Sequence, residues 1–167
     1  MVIYFCLDRT AREAQRGQHR NRARTCRSVS SFEIDDEVAV AVFYGKGDSF
    51  CAGYDLEEIS TRGPEEFLRS IAPPGEGDGP MGPTRLKLSK PVIGAIEGLA
   101  VAGGMELALM CDLRVVAEDM KMGIFNRRFG VPMLDGGTAR LPAIVGLSRA
   151  LDLIMTGRPV DAKKLSA

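Results

Sequence analysis

Gly98-Leu-Ala-Val-Ala-Gly-Gly-Met-Glu-Leu-Ala-Leu-Met-Cys-Asp112 sets a run of small residues directly before a segment of helical composition. Residues 91–96 (PVIGAI) in front of it read as a buried strand, and residues 113–117 (LRVVA) behind it as another. Strand, helix and strand within so few residues imply a parallel pair joined by a right-handed crossover. Further out, residues 38–44 (VAVAVFY) form a continuous apolar run rich in β-branched residues, the pattern of a strand covered on both faces. Residues 2–7 read as a shorter strand, and two helices follow Gly136, near residues 138–145 and 148–156. The class is α/β.

A chain of 167 residues with 45% hydrophobic content is long enough for one domain with a core. Lysine and arginine total 22, as do aspartate and glutamate, so overall charge gives no case for a nucleic-acid or anionic-membrane partner. The balance hides a local excess: seven arginines against Glu13 between Arg9 and Arg27. Four scattered cysteines without a C-x-x-C pair predict reduced, intracellular thiols. The pattern does not choose among cytosol, mitochondrion and peroxisome. No apolar run approaches the ~18 residues of a membrane span. His19 is the only histidine, which disfavours Ser-His-Asp and Cys-His nucleophilic sites and most catalytic zinc sites. Carboxylates and backbone amides are left to carry a reaction.

Glycines at a helix start let a ligand approach backbone N–H groups where the helix dipole favours negative charge. Glu106, three residues after Gly103, projects from the same helix face. An amide donor and a carboxyl group so placed can polarise a carbonyl and move a proton beside it; close helix packing is the other reading of the same glycines. Residues 49–56 (SFCAGYDL) also set a glycine before a helix start, with Asp55 as its cap. Two such loops face to face would supply paired N–H donors. Residues 64–71 have helical spacing with proline at the start. Residues 73–83 hold four prolines and four glycines, which predicts a mobile loop or lid outside the core. Residues 45–49 (GKGDS) lack P-loop spacing, and Gly103-Gly104 lacks G-x-G-x-x-G.

Four blocks occur in one order: FCAGYDL at 50–56, KPVIGAIEG at 90–98, AGGMELALMCD at 102–112 and FGVPMLDGGTARL at 129–141. Together they resemble the enoyl-CoA hydratase/isomerase (crotonase) superfamily over residues 33–167. The resemblance implies a spiral of ββα turns with short parallel strands, holding a coenzyme A thioester. It places the thioester oxygen between the backbone amides of Tyr54 and Gly103, with Ala52, Gly53, Asp55, Gly104 and Asn126 around the substrate. Coenzyme A then enters as part of an acyl-CoA substrate, with no tightly bound cofactor and no metal. Glu106 falls where hydratases keep one of two catalytic glutamates. The other position, in the G-x-P-E block, is Gly123-Ile-Phe-Asn126, and Asn126 cannot exchange a proton as a carboxyl group does. Members that isomerise dienoyl thioesters carry a working aspartate at the place of Asp135, making it the candidate second carboxylate; its other reading is an N-cap for the helix after Gly136. The default reaction is hydration of a 2-enoyl-CoA. The alternatives are double-bond isomerisation and a catalytically inactive truncated member acting as a binding partner.

Two segments depart from the resemblance. Family members show an Arg-x-Asn-Ala-x-Asn signature and an amphipathic helix where residues 10–31 run rich in arginine without an apolar stripe, which predicts a disordered tract. Three readings fit it: a frame-shifted translation whose codons, read one base later, permit that signature; an organelle transit tract; or a basic arm. The chain also ends before the C-terminal helices that members use for trimer or hexamer contacts and for covering the ligand, so an incomplete C-terminal set is expected.

Overall fold

The computed structural model describes residues 1–7, 18–73 and 76–165. Its strands are β1 (Val2–Leu7), β2 (Val40–Gly45), β3 (Val92–Ile96), β4 (Leu99–Val101), β5 (Leu113–Val116), β6 (Lys121–Gly123) and β7 (Val160–Asp161). Its helices are α1 (Gln18–Ile34), α2 (Leu56–Arg62), α3 (Pro64–Arg69), α4 (Gly103–Met110), α5 (Gly137–Val145), α6 (Leu147–Thr156) and α7 (Ala162–Leu165).

β1, β2, β3 and β5 form a four-stranded parallel sheet in that order. The β3–α4–β5 unit is thus the parallel crossover that the sequence predicts. In β2 the alternation puts Ala41 and Phe43 inside, and Phe43 meets Phe5 and Phe50 edge-on at centroid distances of 6.2 and 6.1 Å. A second sheet, which the sequence reading did not anticipate, has β4 parallel to β6 and β7 antiparallel to β6. Its strands span two or three residues each, too few for a readable alternation. Against the sheets lies α4, buried from Gly103 to Leu109. A helix apolar nearly all round is a core helix, and Glu106 is the charge it carries inward.

The expectation of a disordered tract without an apolar stripe is overturned for its described part. α1 begins at Gln18, and Cys26, Val29 and Phe32, three residues apart, bury one face against the parallel sheet. Phe32 completes the stripe just beyond the arginine-rich tract, and its ring stands edge-on to Phe5 at 5.7 Å. At the C-terminal end of α1, the Lys90 ammonium donates to the carbonyls of Phe32 (3.0 Å) and Asp35 (2.6 Å), a favourable place for a cation. Residues 10–17 lie outside the described residues.

The lid reading of residues 73–83 is corrected for their second half. Gly79 and Gly82 exchange backbone hydrogen bonds at 2.9 and 2.8 Å, and the turn they close drives Met81 into the core. Proline and glycine mark a tight turn here, and burial follows because Met81 fills the space beside α4. Residues 74–75 lie outside the described residues. Among the described residues no helix is long and apolar enough to cross a membrane.

Candidate active site

The site begins where two loops meet. Cys51 runs beside β4, its N–H donating to Leu99 (2.9 Å) and its carbonyl accepting from Val101 (3.0 Å). That pairing carries Gly53 to the start of α4. Gly53 has φ +94°, and a β-carbon built on it would stand 2.9 Å from Ala102 Cβ and 3.0 Å from Gly103 N. A β-carbon on Gly104 would collide with the Cys51 carbonyl, so this glycine serves close packing.

Ala102, between the two loops, has φ 52° and ψ −127°, the one positive-φ residue other than glycine among the described residues. Such a conformation costs about 1–3 kcal/mol and clusters at functional sites. It is held from both sides. The Ala102 N–H donates to Gly123 (2.9 Å), and its carbonyl accepts from Met105 (3.0 Å) and Glu106 (3.3 Å). Gly103 and Gly104 therefore stand ahead of the helical ladder, where N–H groups have no partner within the helix.

A cavity of about 130 Å³ opens beside this turn, with Ala52, Tyr54, Met81, Gly103, Asn126 and Asp135 in its wall. Gly53, Asp55 and Gly104 do not line it. The Asp55 carboxylate caps α2 by accepting from Glu57 N (2.9 Å), as the sequence predicts for a cap. The Tyr54 ring packs edge-on to Phe67 at 4.9 Å, and its hydroxyl donates to Glu58 (3.0 Å).

Glu106 is completely buried and does not itself line the cavity; it lies behind Asp135, a wall residue whose N–H it accepts. Its Oε1 accepts the N–H groups of Asp135 (3.0 Å) and Gly137 (2.9 Å), while Oε2 has no partner among the described residues. Burial above all, and then the charge of Asp135, push the Glu106 carboxyl up to about 7; the two amides and Arg140 act in the opposite direction.

Asp135 is held by groups that the sequence reading did not single out. Its Oδ1 accepts from Met81 N (2.8 Å) and from the Thr84 hydroxyl. Arg140 donates to the carbonyls of Asp135 (2.9 Å) and Thr84 (2.6 Å), tying the buried turn to the start of α5. The N-cap reading of Asp135 is overturned: the cap of α5 is Gly136, which has no side chain to accept, and the Gly137 N–H is taken by Glu106. Gly137 and Arg140 sit in the block at 129–141, but nothing local in the sequence says that one faces Glu106 and the other clamps Asp135.

Asn126 is buried in the wall, its Nδ2 donating to Pro132 O at 3.4 Å. Arg128 is turned to structure, donating to Gly157 O (3.1 and 2.8 Å) and stacking on Phe125. Burial pushes the Cys26 and Cys111 thiols up to about 12, which disfavours their thiolates as nucleophiles. Among the described residues no cluster of three or more histidine, cysteine or acidic groups suits a metal ion.

Residues 22–167 match a family model described as Enoyl-CoA hydratase/isomerase, so the match already begins inside the arginine-rich tract. A probable enoyl-CoA hydratase of Bacillus subtilis is 36% identical over 132 residues, covering 79% of this chain and 50% of the relative. The human mitochondrial methylglutaconyl-CoA hydratase is 34% identical over 145 residues, covering 84% of this chain and 41% of the relative. The crystal structure of an enoyl-CoA hydratase from Bacillus anthracis superposes with a TM-score of 0.84 at 29% identity, covering 98% of this chain and 62% of that one. The chain thus spans half or less of the length of these two curated relatives.

Proposed function

The chain belongs to the enoyl-CoA hydratase/isomerase family, and from that premise we propose that it acts on an enoyl-CoA thioester at the site around Glu106. The observation that carries this reading is a fully buried carboxyl group, poised at about 7, beside a second carboxylate in the cavity wall. The thioester oxygen accepts from the N–H groups of Tyr54 and Gly103. As charge moves onto that oxygen in an enolate-like state, each donor stabilises it by an amount whose removal costs roughly 2.7–4 kcal/mol.

Protons move through Glu106, whose affinity near neutrality suits both giving and taking. Asp135 is the second carboxylate. In hydration one carboxylate takes a proton from water as its oxygen bonds to C3, and a proton is delivered to C2. The names of the hydratase relatives favour this reaction. Asn126 favours the alternative, because the second glutamate's place holds no carboxyl group. There Glu106 and Asp135 carry a proton from one carbon to another and shift the double bond without net water. Coenzyme A is part of the substrate in both.

The test follows conjugated-enoyl absorbance and solvent deuterium together. Loss of absorbance that Glu106→Gln abolishes supports hydration; deuterium at C2 without net hydration supports isomerisation. A chain that binds no acyl-CoA overturns both.

A further inference from the structure

The turn at residues 79–84 (GPMGPT) touches both ends of the proposed site. At one end Met81 fills the space beside Gly103, where a β-carbon would stand 2.7 Å from Met81 Cγ and 2.8 Å from its sulfur. At the other, Asp135 Oδ1 accepts from Met81 N (2.8 Å) and from the Thr84 hydroxyl. Thr84 is buried in the 3-10 turn Pro83–Arg85, and Arg140 ties its carbonyl to that of Asp135. Gly79 leaves room for this meeting: a β-carbon there would collide with Thr84 Oγ1 and stand 2.8 Å from Asp135 Oδ1.

A hydroxyl and an amide converging on one carboxylate oxygen restrict that carboxylate to one orientation, because hydrogen bonds to a charged acceptor are about twice as strong as neutral ones. Orientation matters for a group that moves protons: a displacement of about 1 Å can cost on the order of 10²-fold in rate. Asp135 is in the cavity wall, whereas Thr84 is not among the residues that line it. We infer that Thr84 is a positioning residue, through which the 79–84 turn sets the Asp135 carboxylate at a fixed place relative to the Gly103 amide. The inference rests on the acyl-CoA reading above, in which Asp135 is the second carboxylate.

Thr84→Val and Thr84→Ser, each made in the parent chain and in Asp135→Asn, test this. Turnover of crotonyl-CoA, followed by absorbance and solvent deuterium, should fall about tenfold or more in Thr84→Val with KM little changed, the order of one hydrogen bond to a charged group. Thr84→Ser keeps the hydroxyl and should retain most of the rate. In Asp135→Asn, Thr84→Val should change turnover by a factor of about one, since no carboxylate is left to place. Carbon-13 titration of the glutamate carboxyl groups reads the same placement without turnover. Thr84→Val should move the Glu106 midpoint below about 7, as the Asp135 charge that pushes it up leaves its place, and should add no shift in Asp135→Asn. If Thr84→Val does not fold, Thr84→Ala carries the same comparisons. A midpoint unmoved by loss of the hydroxyl, or a fall in turnover as large in Asp135→Asn as in the parent, overturns the inference and leaves the acyl-CoA reading standing. A parent chain that neither binds nor turns over crotonyl-CoA overturns the acyl-CoA reading, and this inference falls with it.

Discussion

Glu106 Oε1 accepts the Gly137 N–H at 2.9 Å, and a β-carbon built on Gly137 would lie 2.8 Å from Glu106 Cγ and 2.9 Å from that same oxygen. The glycine thus holds the buried carboxyl group and leaves the space in which it sits. Gly137→Ala should displace Glu106, because the added β-carbon crowds the Glu106 side chain as well as Met133 Cε at 2.4 Å. Overpacking of this kind costs about 1–3 kcal/mol. Thermal unfolding should register that loss, and turnover measured below the unfolding range should fall by more than the unfolded fraction explains. A folded variant with unchanged turnover would remove Glu106 positioning from the site.

The raised proton affinity of Glu106 also has a sign for stability. Its folded value is about 7 against an ordinary 4.5. Below 4.5 the group is protonated in both folded and unfolded chains, and its contribution is fully present. Between 4.5 and 7 the unfolded chain has released the proton and the folded one has not, so stability falls as pH rises, by up to about 1.4 kcal/mol per unit. Above 7 the loss is complete. Glu106→Gln removes this slope. Urea unfolding of both chains at pH 4.5, 6 and 8 should therefore show the variant gaining on the parent across that window. A difference that stays flat, or runs the other way, contradicts the assignment.

Asp135 contributes the second-largest upward push on Glu106, after burial. Asp135→Asn keeps an oxygen able to accept from Met81 N and the Thr84 hydroxyl, so the turn should hold while the charge goes. The Glu106 midpoint should then move below about 7. Carbon-13 NMR titration of the glutamate carboxyl groups reads it directly, without an activity assay. A midpoint that stays in place would mean that burial alone sets the value.

The elements legible in the sequence are those whose signal is local. β2 and β3 are runs of apolar residues, α4 opens on a glycine pair, and Asp55 announces the cap of α2. What escaped depends on distance or on a sparse pattern. Among the described residues α1 buries Cys26, Val29 and Phe32 in a crowd of arginines, and the last of these lies past the tract that looked disordered. The turn at 79–83 shows its prolines and glycines, but not that Met81 will fill the space against Gly103. At the site, Glu106 and Gly103 share one helix and were found together. Thr84 lies 51 residues from Asp135, and only the folded chain brings its hydroxyl to that carboxylate.

The face-to-face approach of the two loops makes a further demand at Gly53. A β-carbon there meets Ala102 Cβ and the Gly103 N–H proposed to hold the thioester oxygen, in a backbone conformation of φ +94° that alanine tolerates poorly. Gly53→Ala should therefore lower turnover by roughly 10²–10³, the scale of losing one such donor. It should also cost about 1 kcal/mol or more of stability from the strained backbone. Gly47→Ala separates the two effects, since Gly47 has φ +90° with nothing within 4 Å of a β-carbon. That variant should lose comparable stability and keep its rate. Thermal unfolding and turnover measured on both decide the matter: if the rates fall alike, backbone strain explains the loss, and the meeting of Gly53 with Gly103 has no part in the chemistry.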